Sequence, residues 1–283
     1  MSQRFSFPAP AKLNLFLHIT GQRSNGYHNL QTLFQFLDFG DKLTFELTDS
    51  GKVELLTTFK GVAHDDNLIV KAAKKLQLVS KADKGVKISI DKVLPMGGGL
   101  GGGSSNAATV LVALNKLWQL NYTTTELAAL GLSLGADVPI FVHGHAAFAE
   151  GVGEIIHPQS PQEHWYLVTK PDVSISTAEV FSAPDLTRNT APIDKGDYEL
   201  ASCHNDCQNW VINRYPEVAN LLAWLVEYAP SQMTGTGACI FSSFTCEQEA
   251  RYIQSKLPQG IESFVAKGAN TSPLMHAVKN FPF

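Results

Sequence analysis

The sequence predicts a chain that mixes strands with helices, α+β in class, and three stretches carry that expectation. Residues 10–19, P-A-K-L-N-L-F-L-H-I, alternate with period two, which gives a strand with two distinct faces. Residues 66–78 place Leu68, Ile69, Ala72, Ala73 and Leu76 at helical spacing. Residues 97–103 put six glycines in seven positions, broken only by Leu100, and lead straight into a second helical stripe of Ala107, Val110, Leu111, Leu114 and Leu117.

At 283 residues the chain has room for two domains or one large one. Its 44% hydrophobic and 17% charged residues, with a net charge of -4, offer no basic excess for a nucleic-acid partner. The opening M-S-Q-R-F-S-F-P lacks an apolar signal core, and no apolar run reaches bilayer length, so a cytoplasmic protein with no membrane partner is expected. Four cysteines in a chain this size fit a reducing compartment rather than a disulfide scaffold. Cys203, His204 and Cys207 lack a second tight ligand pair, because Cys239 and Cys246 lie in another segment; buried thiols explain them better than a metal does.

Taken in order, the first strand sets Leu13, Leu15, Leu17 and Ile19 on one face and Lys12, Asn14, Phe16 and His18 on the other. A solvated edge face is one reading of that lysine. Asn25-Gly26 is a turn signal that displays Tyr27 and His28, either as a packed corner or as a ligand reader. Residues 32–56 read as short alternating strands broken by turns at 38–41 and 49–51. Asp66 suits the cap of the helix that follows, and residues 86–90 form a further strand leading through Lys92 to the glycine run; Asn67 and Lys92 are candidates to lie near a bound adenine.

After the glycine run, Ser104 and Ser105 stand at cap positions. A second helix over 125–134 is capped by Thr124 or Thr125, and Asp137 stands just before a third helix start at Pro139, where its ordinary role would be a cap. Residues 148–153 read as a hinge, 165–170 as a strand, 173–181 as a segment ending in Phe181, 209–213 and 218–228 as helical stripes. Residues 233–241 read as a second glycine motif followed by a strand, and 264–268 as a strand before a short tail.

The glycine run holds the site. Each glycine raises the entropy lost on folding, so the run implies positive φ or close approach to a ligand. The helix start that follows offers free N–H groups and partial positive charge, a cradle for phosphate. A Walker loop fails because Ser104 stands where its lysine belongs. The dinucleotide fingerprint is matched by Gly97, Gly99 and Gly102 but lacks a strand directly before it and an acidic residue near position 120. A plain linker would not run into an amphipathic helix.

The run P-M-G-G-G-L-G-G-G-S-S-N-A-A resembles the Pro-x-x-x-Gly-Leu-Gly-Ser-Ser-Ala-Ala loop of the GHMP kinases, with Gly102 and Gly103 as additions before the serines. P-A-K-L-N-L, R-x-x-G-Y-H, G-A-D-V-P and M-T-G-T-G resemble further motifs in the same order, so the resemblance covers essentially the whole chain. Within the family the extra glycines and Gly-Tyr-His are similar to the branch that phosphorylates 4-diphosphocytidyl-2-C-methyl-D-erythritol in non-mevalonate isoprenoid synthesis. The fold this implies is a two-domain α+β arrangement, with an S5-like ATP-binding domain over residues 1–155 and a ferredoxin-like domain over 156–283.

The activity implied is phosphorylation of the substrate's 2-hydroxyl, with ATP as donor and Mg2+ as cofactor, and no obligatory protein partner. Lys12 and Asp137 would be the catalytic pair. Pro95, Met96, Gly97, Gly98, Gly99, Leu100, Gly101, Gly102, Gly103, Ser104 and Ser105 would bind ATP, with either serine a candidate for Mg2+. Asn14, Tyr27, His28, Thr177 and Phe181 would bind the cytidyl substrate, the two aromatics stacking on cytosine from opposite sides. Another GHMP kinase and a non-catalytic metabolite sensor of the same family remain as alternatives.

Overall fold

The computed structural model describes residues 3–59 and 61–281. Two long antiparallel strands organise it: β1, Arg4–Gln22, lies along β2, His28–Thr48. Both run far beyond the expected lengths. Residues 38–41 do not turn but continue β2, because Gly40 lets β1 cross closely; a Cβ there would lie 2.2 Å from the Ala9 carbonyl oxygen. The register of β1 shifts between Pro10 and Lys12, between Asn14 and Leu17, and between Ile19 and Gly21. These irregularities break the strict alternation, and both faces of its middle are buried rather than solvated.

β3 (Val53–Leu55) runs parallel to β4 (Gly85–Asp91), which pairs with the far half of β2. Between them lies α1, Leu68–Ser80. Its cap is Asn67, whose side chain accepts from the Ile69 amide, and not Asp66, which stands in a preceding 3-10 turn and pairs with Lys71. Then come α2 (Gly102–Leu117), α3 (Thr124–Leu132) and α4 (Val138–His143). The cap of α3 is Thr123, in a reciprocal capping box with Glu126, one place before the expected threonines. The expected hinge at 148–153 is instead a hairpin, β5 (Ala147–Gly151) with β6 (Ile155–Pro158), laid against the near half of β2.

The remainder adds β7 (Trp165–Lys170), α5 (Thr177–Ser182), α6 (Asp206–Ile212), α7 (Pro216–Leu225), β8 (Ser231–Met233), β9 (Ile240–Phe244), α8 (Glu247–Gln254), β10 (Glu262–Ala269) and α9 (Pro273–Lys279). Strand order runs β3-β4-β2-β10-β7-β9-β8, and β10 meets β2 only at Gly268–Leu37 and Ala269–Phe36. The short tail expected after residue 268 instead contains the end of β10 and a helix, α9.

One apolar cluster packs α1, α2 and α4 onto β1, β2 and β4, with Phe7, Phe45, Leu76, Leu111 and Phe141 inside it. A second packs α5, α6 and α7 beneath β7 and β9, around Leu167, Val180, Trp210, Leu221 and Ile240. β1 contributes Phe7 to the first and Leu17 and Ile19 to the second, so one strand runs through both. Leu274 of α9 returns to the first.

Candidate active site

A cleft of about 910 Å³ is walled by residues of β1, β2, the glycine run and α5. Its wall takes in the whole of Pro95 through Ser104, together with Lys12, Asn14, Tyr27, His28, Asp137, Thr177 and Phe181. Five separated segments of sequence thus meet on one cavity.

Lys12 lies at its centre on β1 and is only 3% exposed. A buried ammonium needs each of its three protons received. Its Nζ donates to Asn14 Oδ1 at 2.6 Å and to the Gly99 carbonyl at 2.9 Å, and it faces Asp137 Oδ2 at 3.4 Å. The shift of register beside Lys12 leaves its backbone N–H to the Leu100 carbonyl, so strand and loop are tied twice. Asp137 occupies the cap position of α4, yet its side chain makes no capping hydrogen bond. It stands free at the cleft, its side chain 37% exposed, and Lys12 is its ionic partner. Asn14 is held in turn: its Nδ2 donates to Thr32 Oγ1, and its backbone N–H donates to Thr234 Oγ1.

The glycine loop uses its glycines in two ways. Gly97, Gly99 and Gly101 have φ of +68°, +75° and +72°, a region costly for side chains. A Cβ on Gly99 would sit 2.3 Å from the Thr234 carbonyl oxygen, and one on Gly101 2.8 Å from the Phe141 ring. Gly102 and Gly103 differ. They form the first turn of α2 without positive φ, and a Cβ on either would meet the protein no closer than 3.5 Å. Nothing in the fold requires those two.

The helix start also departs from expectation at the serines. The cap of α2 is Gly101, which has no side chain to bond with. Ser105 does not reach the cleft: it is fully buried, its hydroxyl donates to the Pro10 carbonyl and its N–H to Gly101. Ser104 does line the cleft, and its hydroxyl has no protein partner among the described residues.

At another wall of the cleft the Asn25-Gly26 turn exposes Tyr27, which is 62% accessible and so no packed corner. His28 is buried beside it and stacks on Phe181, with centroids 5.1 Å apart and planes 27° from parallel. Phe181 belongs to α5, whose first residue, Thr177, shares a 2.9 Å hydrogen bond with Thr236 of the second glycine turn. That turn is pinned by Asn205, whose Nδ2 donates to the Met233 and Gly235 carbonyls.

Sequence reasoning missed Thr32, Thr234, Asn205 and Arg188. Arg188 Nε donates to His28 Nε2 at 2.8 Å, while its other nitrogens hold carbonyls of residues 181–186. Burial, and then the Arg188 charge, lower the pKa of His28, which keeps the ring neutral near pH 7. Lys92 and Asn67 both line the cleft, and Lys92 pairs with the buried Asp41, whose Oδ1 accepts from the Val93 and Leu94 amides. That carboxylate fixes the chain entering the glycine loop. Among the described residues no group of His, Cys, Asp and Glu suits a metal ion, and no helix is long and apolar enough to cross a membrane. Cys207 and Cys239 are buried thiols whose pKa is pushed up to about 12, chiefly by burial.

Residues 67–145 match the family described as GHMP kinases N terminal domain. A solved structure described as 4-(cytidine 5'-diphospho)-2C-methyl-D-erythritol kinase superposes with a TM-score of 0.82 at 28% identity, covering 94% of this chain and 99% of its own. A mevalonate kinase shares the fold at 13% identity, with a TM-score of 0.71 over 95% of this chain and 100% of its own. Two relatives named 4-diphosphocytidyl-2-C-methyl-D-erythritol kinase align over almost their whole length. That of Colwellia psychrerythraea is 62% identical, covering 98% of this chain and 94% of its own. That of Pseudoalteromonas atlantica is 58% identical, covering 95% and 94%. With the motifs gathered on one cleft and identity of that order from end to end, the chain belongs to the 4-diphosphocytidyl-2-C-methyl-D-erythritol kinase family, a branch of the GHMP kinases.

Proposed function

We propose that this chain transfers the γ-phosphoryl group of ATP to the 2-hydroxyl of 4-diphosphocytidyl-2-C-methyl-D-erythritol. The observation that carries the chemistry is the Lys12–Asp137 pair in a cleft that also takes in the glycine loop and the Tyr27, His28 and Phe181 group. Phosphoryl transfer to an alcohol asks for little covalent work: it needs alignment, a proton acceptor and offset of charge.

The free N–H groups of Gly102 and Gly103 receive the phosphates at the positive end of α2. Two glycines that the protein's own packing does not demand are accounted for by a ligand resting on them. Asp137, uncommitted as a cap, takes the hydroxyl proton. Lys12 holds that carboxylate in place and favours the alkoxide as it forms, electrostatic help that is strongest where water is excluded. Tyr27 and Phe181 offer faces to the cytosine ring and His28 a polar edge. Asn14 and Thr177 complete the substrate side.

Mg2+ takes hard oxygen ligands, and the free hydroxyl of Ser104 fits that chemistry, whereas Ser105 is committed elsewhere. Bound there, the ion would neutralise charge on the phosphates. We assign residues 1–155 to an ATP-binding domain and 156–283 to a second, with β1 reaching into the second core, α9 returning to the first and a third cluster around Leu13, Leu33 and Tyr166 joining the two; the need for ATP favours the cytoplasm as the place of reaction.

The test is ADP release by the purified protein with ATP, Mg2+ and the cytidyl substrate, run beside mevalonate, homoserine and galactose. Turnover on the cytidyl substrate alone is expected. Turnover on another alcohol instead would keep the kinase and discard Tyr27 and His28 as base readers, and no turnover on any would point to a sensor.

A further inference from the structure

Arg188 lies outside the cleft wall, yet it touches a residue that forms it. Its Nε–H donates to His28 Nε2 at 2.8 Å. An arginine has no lone pair to offer and does not lose its proton in proteins, so Nε2 must be the acceptor in this contact. The imidazole is neutral, kept so by burial and by the adjacent guanidinium charge. Its single proton therefore resides on Nδ1, since the hydrogen bond at one ring nitrogen decides the state of the other. Nδ1 has no protein partner among the described residues and is not among the fully buried unpaired atoms, while His28 as a residue is 6% exposed and lines the cleft. What the site holds out is a fixed N–H donor on a ring that Phe181 stacking keeps from turning.

We propose that Arg188 is a positioning residue for base selectivity, holding His28 as the Nδ1–H tautomer so that the pocket accepts a pyrimidine edge with an acceptor at N3 and rejects one with a donor there. Cytosine carries a lone pair at N3. Uracil carries N3–H, which would confront the fixed donor and leave two buried protons facing one another. This rests on the reading of His28 as the base-contacting residue.

Arg188 also ties down the carbonyls of residues 181–186 behind Phe181, so its loss could loosen the pocket generally. The two roles separate in the measurement. Loosening would lower kcat/KM for cytidyl and uridyl substrates alike, whereas loss of the tautomer lock changes their ratio.

The experiment compares wild type, Arg188→Met, Arg188→Lys and His28→Ala, with the cytidyl substrate and its uridyl analogue. Side-chain 15N NMR of His28 is recorded in the first three. In wild type the spectrum should show a protonated Nδ1 and a bare Nε2. Arg188→Met should lose that pattern, raise KM for the cytidyl substrate with kcat less affected, and cut the cytidyl-over-uridyl preference about tenfold, the loss of one hydrogen bond's discrimination. Arg188→Lys, which restores a donor, should recover part of the preference. A wild-type His28 protonated at Nε2, or an unchanged preference in Arg188→Met while His28→Ala still raises KM, would overturn the proposal and leave the pocket standing. An unchanged KM in His28→Ala would remove the pocket reading and the proposal with it.

Discussion

Replacing Gly103 with alanine should make the protein more stable and a poorer nucleotide binder. Gly103 is exposed, lies in the first turn of α2 without positive φ, and has 3.5 Å of clearance to Leu68 Cδ1 for an added Cβ. Alanine there removes the entropic penalty of glycine in a helix, about 0.5–1 kcal/mol. For a chain this long that corresponds to a rise in Tm of about 2 °C. The same Cβ projects where a phosphate would rest on the backbone. Losing one hydrogen bond to a charged oxygen costs roughly 1.5–3 kcal/mol, or about 10–100-fold in ATP affinity. Thermal unfolding without nucleotide and calorimetric titration with ATP read the two effects separately. A higher Tm with unchanged ATP affinity would show that phosphate does not lie on Gly103, and a lower Tm would contradict the account of the helix start. Gly99→Ala is the internal contrast: φ of +75° and a Cβ 2.3 Å from Thr234 O should cost about 2–5 kcal/mol of stability before any ligand is added.

Asp137→Asn should lower kcat by about a hundredfold or more, the size expected of a lost general base, while the ATP Kd stays nearly the same; near-normal turnover would reduce Asp137 to a helix-start residue. Acid should weaken the fold through its histidines. His18, His28 and His143 all have lowered pKa values, with burial the largest cause in each and the charges of His204, Arg188 and His145 adding to it respectively. The folded state thus resists protons that the unfolded chain takes up below about pH 6.5, so stability is full above that value and declines as pH falls toward the lowered folded values. Urea midpoints at pH 7.5 and pH 5.5 should differ in that direction, and a flat or opposite trend would refute the linkage.

The site was legible where chemistry needs a local string. The glycine run, Lys12 with Asn14 two residues on, and Gly-Tyr-His each announce themselves in a few consecutive positions, and all were brought to one cleft. Arg188 was not legible. Its segment, L-T-R-N-T-A-P, reads as an ordinary loop with a solvated cation, and only a fold that returns residue 188 to residue 28 gives it a partner. Asp41 departs from its sequence expectation for a related reason. Aspartates flanking glycine at 38–41 signal a turn, but close crossing of β1 at Gly40 overrode that signal, and the buried carboxylate serves the entry to the loop instead. The helix caps erred by one position at Asn67 and Thr123, since runs of polar residues at a helix start leave the choice among them to the packing of the first turn. Ser105 has the right residue type and the wrong side of the helix: α2 turns it toward Pro10.

The return of α9 to the first core has a consequence for synthesis. Leu274 belongs to the same buried cluster as Phe7 and Leu111, with Met275 and Val278 packed at its margin. A ribosome adds roughly 5–20 residues per second, so the half that holds Lys12 and the glycine loop spends on the order of ten seconds outside the tunnel with one wall of its interior open to water. For that interval its apolar surface is available to any hydrophobic neighbour, including another nascent copy. A message cut just before residue 273 would encode every residue of the cleft and still yield a chain whose first core never seals.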